Sequence, residues 1–159
     1  MTMLNQSLRA VADASDPLPG IGTELNQTKN CLKCVYDFAV LGGAIGTVQL
    51  LDDEGNKAVL PAGSVISNVI VDVVTSCASA GSATVALQAV NAGDLLGTTA
   101  KASLAAGLVA GVPVGTAASA VKVPSTVAQG GAPIQAVVAT AALTAFKAYV
   151  LIEFYRSGF

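Results

Sequence analysis

Histidine and tryptophan are both absent from this chain. Without histidine there is no Ser-His-Asp or Cys-His pair to activate a nucleophile, and no imidazole to hold a metal. Aromatic residues make up 4% of the sequence, so Tyr36, Tyr149 and Tyr155 are the few tyrosines on which a sugar could stack. Charge is scarce too: 11% of residues are charged, against roughly 25% in an average soluble domain. A surface this poor in charge implies that protein partners cover much of it. Basic clusters are also missing. The net charge is −2, and between Asp94 and Glu153 there are no acids and the only bases are Lys101, Lys122 and Lys147. Nucleic-acid binding needs a basic face to neutralise phosphates, so none is expected.

Cysteine is sparse and odd in number: Cys31, Cys34 and Cys77. Cys31-Leu32-Lys33-Cys34 has redox or half-zinc spacing, but no second such pair follows. Zinc would need further ligands from carboxylates or another subunit, and a thioredoxin-type site would need a βαβ context that this region lacks. The three are expected to be incidental thiols. No secretory leader is visible at the start. An uncharged stretch, residues 102–121, carries Gly107, Gly111 and Gly115 at the small-residue spacing of membrane helices. It also contains Pro113 and is mostly Ala, Gly, Ser and Thr, too weakly apolar to insert. A loop and strand of a β-protein explain it better, and no membrane partner is expected.

What remains is 159 residues, 53% hydrophobic, rich in Ala and Val and long enough for one domain with its own core. Residues 1–33 differ in kind from the rest. A helix there would extend at most two turns before Pro17, and Pro17-Leu18-Pro19-Gly20 forbids regular structure. An extended N-terminal arm is the expectation, with Leu4, Leu8, Leu18, Ile21 and Leu25 as spaced apolar anchors for a partner. Residues 34–159 are expected to form the β-domain.

Strand signals begin at Cys34. Residues 36–51, YDFAVLGGAIGTVQLL, read as a first strand pair, with Gly42 and Gly43 supplying the positive φ of a tight turn. Asp52-Asp53-Glu54-Gly55-Asn56 reads as a charged hairpin tip and lacks the residue order of a calcium loop. In residues 65–75, Val69, Val71 and Val73 alternate with Asn68, Ile70, Asp72 and Val74, a pattern for a central strand. Residues 83–90 alternate likewise. Residues 91–100 have the composition of a loop, and 101–108 that of a short helix or irregular link. Residues 112–114 and 120–123 read as weak strands, and Pro113 and Pro124 put them at edges. Ile134, Ala136 and Val138 mark another strand. In the last, Phe146, Ala148, Val150, Ile152 and Phe154 form a core face opposite Lys147, Tyr149, Leu151, Glu153 and Tyr155. The count gives an all-β fold: a jelly-roll-like antiparallel β-sandwich of about eight strands with an extended N-terminal arm.

Three carboxylates, Asp37, Asp72 and Glu153, sit on expected strands and could in principle pair as a hydrolase would need. Strand carboxylates more often face solvent or a lysine. Gly42-Gly43-Ala44-Ile45-Gly46 lacks the Walker lysine and the helix of a phosphate loop. No catalytic, cofactor-binding or metal-ligating residue is assigned, no cofactor is expected, and the chain is not expected to be an enzyme.

The order Y-D-F-A-V-x-G-G-A-I-G-T-V-x-L at 36–50, L-P-A-G-S-V-I at 60–66, V-D-V-V-T-S at 71–76 and G-S-A-T-V-A-L-Q at 81–88 resembles a family of small structural proteins of tailed bacteriophages. A-G-D-L-L at 92–96 and A-T-A-A-L-T-A-F-K at 139–147 continue the pattern. The family is that of capsid decoration, or cement, proteins, and the resemblance covers about residues 36–155. It implies a jelly-roll-like sandwich assembled as a homotrimer on the outer surface of the virion. There it would clamp the major capsid protein and stabilise the head against internal pressure. The alternative is a head-fibre or tail-associated virion protein contacting the host surface.

Overall fold

The structure is a computed structural model and describes residues 29–125 and 131–156. Two strands dominate it. β5 (Ser64–Ala78) and β12 (Ala145–Arg156) pair antiparallel along most of their length. Their sequences explain this. Val69, Val71 and Val73 on β5 and Phe146, Ala148, Val150, Ile152 and Phe154 on β12 recur every second residue, and all are buried. β1 (Asn30–Asp37) pairs with the other edge of β12, and β3 (Leu51–Asp52) pairs with β1. β8 (Gly107–Val114) and β9 (Val121–Lys122) pair with β5 on its far side. The result is a six-stranded sheet of order β3-β1-β12-β5-β8, with β9 beside β5.

The second sheet has four strands in the order β2-β11-β6-β7. These are β2 (Gly46–Gln49), β6 (Thr84–Gln88), β7 (Leu96–Ala100) and β11 (Gln135–Ala139). Two short strands, β4 (Val59–Leu60) and β10 (Ala132–Pro133), pair with each other. All of these pairings are antiparallel. Among the longer strands, β1, β12, β5 and β8 face β2, β11, β6 and β7, so the chain passes repeatedly from one sheet to the other. This is a jelly-roll-like sandwich. Its core is aliphatic: Leu50, Leu60, Ile66, Val85, Leu87, Leu95, Leu104, Ile134 and Ile152 are all buried. Tyr36 and Phe146 add one aromatic contact, with ring centroids 5.3 Å apart.

Residues 36–51 are not a hairpin. β1 ends at Asp37, a single helical turn follows (α1, Phe38–Leu41), and β2 belongs to the opposite sheet. Local chemistry makes the corner. The Asp37 carboxylate accepts the Ala39 N–H at 3.0 Å and caps the turn. The Gly42 N–H closes it on the Phe38 carbonyl at 2.9 Å, and the buried Tyr36 hydroxyl donates to the Gly42 carbonyl at 2.6 Å. Gly42 has φ +74°, whereas Gly43 needs no positive φ. Gly43 is required for another reason: a Cβ there would lie 2.6 Å from the Leu143 carbonyl oxygen.

The stretch from 91 to 108 also differs from its expected form. Residues 91–95 do form a turn, organised by the Asp94 carboxylate, which accepts the N–H groups of Ala89, Val90 and Asn91. Leu96 then begins a strand, a one-turn 3-10 helix covers Lys101–Ser103, and Gly107 opens β8. The charged tip at 52–56 is as expected, its backbone N–H groups at Glu54 and Asn56 donating to Asp52. β1 begins at Asn30, so residues 30–33 belong to the sheet. The anchors Leu4, Leu8, Leu18, Ile21 and Leu25 lie outside the described residues. Among the described residues, no helix is long and apolar enough to cross a membrane.

Candidate functional site

The six-stranded sheet has an inner face against the core and an outer face free of other described elements, and the strand register arranges the outer face in rows. Cys31, Glu153, Asn68 and Val114 make one row across β1, β12, β5 and β8. Lys33, Leu151, Ile70 and Ala110 make the next, and Val35, Tyr149, Asp72 and Leu108 the third. Read along the rows, the chemistry changes from one side to the other. The β1–β12 side is polar and stitched by charge. Lys29 Nζ meets Glu153 Oε2 at 2.6 Å, Lys147 meets Asp37 at 2.8 Å and Lys33 meets Asp53 at 3.2 Å. The Lys33 ammonium also sits 4.6 Å from the centre of the Tyr149 ring.

The β5–β8 side is apolar. Leu108 is 74% exposed, Val114 53%, Val74 51% and Val112 44%, and Ala110 lies between them. Four of the seven exposed large hydrophobic side chains among the described residues thus fall on this band. It is an exposed apolar patch on a face otherwise ordered by ion pairs, and patches of this kind mark interaction sites. The other side of β8 explains why the strand lies so close. Gly111 faces inward, where a Cβ would meet the Leu95 carbonyl at 2.5 Å and the Val69 Cβ at 2.6 Å. The Val112 N–H also donates to that carbonyl at 2.9 Å.

The carboxylates singled out in the sequence do not converge. Asp37 is held by Lys147 and Glu153 by Lys29 and Asn68. Asp72 lies four positions along β5 from Asn68, the residue opposite Glu153. The Lys147 ammonium, and next the Ala39 N–H, hold the Asp37 carboxyl below its ordinary range. Hydrogen bonds from Lys29 and then Asn68 do the same for Glu153. Both partner lysines are raised by the same bonds. These are ionised structural pairs, and neither acid has the raised pKa of a proton donor.

The cysteine spacing is likewise disposed of by strand geometry. Cys31 and Cys34 lie three residues apart on β1, so they point to opposite faces. Cys31 is exposed, and Cys34 is fully buried with its thiol pushed up to about 12 by burial. Burial raises Cys77 as well. No group of three or more Cys, Asp or Glu positioned for a metal occurs among the described residues. The apolar band was missed in the sequence. The signal for it was the alternation of Leu108, Ala110, Val112 and Val114, masked by the glycines and by Pro113.

No protein-family model matches the chain, and no curated protein sequence matches it. Solved structures do. A chain of the cyanophage Pam1 capsid asymmetric unit superposes with a TM-score of 0.59 at 15% identity, covering 92% of this chain and 96% of that one. The chain shares a phage capsid fold. A chain from the acid-stable capsid structure of Helicobacter pylori bacteriophage KHP30 superposes with a TM-score of 0.52 at 14% identity. It covers 82% of this chain and 89% of that one. At these identities the likeness is one of fold. It extends over nearly the whole of both partners, so the counterpart in each capsid is a chain of similar length.

Proposed function

We propose that this protein is a structural component of a phage virion: a capsid decoration, or cement, protein. On this reading it binds the outside of the major capsid lattice as a homotrimer and stabilises the head against internal pressure. The observation that carries the reading is the end-to-end likeness to chains of two phage capsids, at 96% and 89% of their lengths. The apolar band on β5 and β8 supplies a contact surface, and ion pairs with Lys147 and Lys29 engage Asp37 and Glu153. The role is mechanical and non-enzymatic, with neither nucleic acid nor membrane as partner. The part of the expected arm that precedes β1, residues 1–28 with Leu4, Leu8, Leu18, Ile21 and Leu25, acts as a strap toward neighbouring subunits or the capsid.

Each contact can be weak, because repetition over a symmetric lattice multiplies a modest affinity into a durable attachment. The test is to image particles carrying the protein. Density at three-fold positions between capsomers is the expected result. Density confined to one vertex or to the tail would overturn the cement reading in favour of a head-fibre or tail-associated protein.

A further inference from the structure

The two ends of the sandwich differ in charge. At one end the sheets are joined by four connections, residues 38–45, 79–83, 101–106 and 140–144. These hold a single charged residue, Lys101, whose ammonium donates to the Ser79 carbonyl at 2.6 Å. The strand charges at that end, Asp37 and Lys147, pair with each other. The turns at the opposite end carry Asp53, Glu54, Lys57 and Asp94. Apolar side chains stand out at the uncharged end. Val40 is 67% exposed and Ile45 60%, and Ala44, Ala80, Ala105 and Ala142 of the same connections are exposed as well.

The uncharged end is also braced. The Leu143 N–H donates to the Gly43 carbonyl at 2.7 Å and the Ser79 hydroxyl to the Ala142 carbonyl at 2.6 Å. With the bond from Lys101 to Ser79, each connection is tied to another. Thr140 lies among them with φ +71°, and the Ala141 N–H closes a tight turn over it on the Ala139 carbonyl at 2.8 Å. A β-branched residue is strained there, and such strain persists only where the surroundings over-determine the backbone. A face held in this way has little freedom to lose on binding.

We propose that this end is the face that seats on the capsid shell, against an uncharged apolar surface of the major capsid lattice, with the charged end toward solvent. The inference rests on the virion reading above. Size separates the lattice from a second copy as the occupant. Sheets about 10 Å apart, with strands about 4.8 Å apart, give an end of about 20 by 20 Å, or about 400 Å². A stable pair of free proteins buries about 800 Å² on each side. Two copies meeting end to end would therefore part in dilute solution, whereas a lattice that repeats the contact holds it. A contact built on Val40 and Ile45 without ion pairs is also one that salt does not screen.

The test supplies purified full-length chain to phage heads assembled without it and measures occupancy by co-sedimentation. Val40→Asp combined with Ile45→Asp should lower the affinity about tenfold or more. Glu54→Lys, at the other end, should leave occupancy unchanged, and wild-type occupancy should be the same at about 0.1 M and about 1 M sodium chloride. Full occupancy by the double variant would overturn the proposal, as would a loss in high salt or with Glu54→Lys. The free double variant should melt and sediment as the wild type does. If it breaks up an oligomer of the free protein, a second copy is the occupant and the proposal falls. Images of decorated heads decide independently of any variant: residues 38–45 should face the shell, and finding them turned to solvent would overturn the proposal. Heads that take up no wild-type chain would instead overturn the virion reading itself.

Discussion

Cys34 carries a sharp expectation at the scale of single residues. Its thiol is enclosed between β12 and the core and is pushed up to about 12, so almost none of it is thiolate near neutral pH. Cys77 is also raised by burial, although Lys101 pulls the other way. Cys31 is exposed. Native protein treated with iodoacetamide at pH 8 should therefore gain one label, at Cys31, and gain all three only in denaturant. Rapid labelling of Cys34 in the native state would contradict the register of β1. The spacing that suggested a metal or redox pair is thus resolved by nothing more than the two-residue period of a strand. That resolution was available from the sequence once the segment was read as a strand. What the sequence could not supply was the exposure of each sulfur, which depends on where the other sheet lies.

The elements divide by how strongly they announce themselves. β5 and β12 were legible because burial on one face imposes a strict alternation. On β12 the buried set is the expected one, Phe146, Ala148, Val150, Ile152 and Phe154, whereas on β5 the alternation left the core face open and the structure buries Val69, Val71 and Val73. The corner after β1 was not. Residues 38–41 have strand-type composition, but the cap from Asp37 and the bond from the Tyr36 hydroxyl are long enough in reach to turn them into a helical turn. Strand propensity lost there to local side-chain-to-backbone hydrogen bonds. β8 was obscured differently, since Gly107 and Gly111 carry no strand signal, and Gly111 serves close packing. Gly111→Ala tests that packing. Removing chain entropy from the unfolded state would add about 0.4–1 kcal/mol of stability where the site had room. Here the new methyl meets the Leu95 backbone at 2.5 Å, and overpacking of about 1–3 kcal/mol outweighs that gain. Urea denaturation should show a net loss of stability, and a gain would mean that β8 stands further from β5 and Leu95.

For the whole molecule, the division between arm and domain shifts slightly from the one that composition drew at residue 33. Asn30, Cys31, Leu32 and Lys33 pair with Phe154, Glu153, Ile152 and Leu151, half of the β1–β12 register. A deletion of residues 1–28 leaves that pairing intact, whereas a deletion of 1–33 strips it and exposes one edge of β12. Thermal melts followed by circular dichroism should place the longer deletion below the shorter one. Equal melting temperatures would show that residues 30–33 contribute nothing to the sheet. On capsids, the 1–28 deletion should occupy fewer sites than the full chain, the loss belonging to the strap and not to the fold.

The position of β12 has a further consequence. It runs between β1 and β5, yet it comes last in the order of the described strands. Until residue 156 has left the ribosome, the larger sheet has a vacant slot at its centre, and β1 and β5 have no common neighbour. The nascent chain cannot close its core strand by strand. It must hold most of its apolar surface open and complete it in one late, long-range step. Such a sheet commits to its shape only once β12 has emerged, and any chain cut short before Ala145 lacks the strand that stands between β1 and β5.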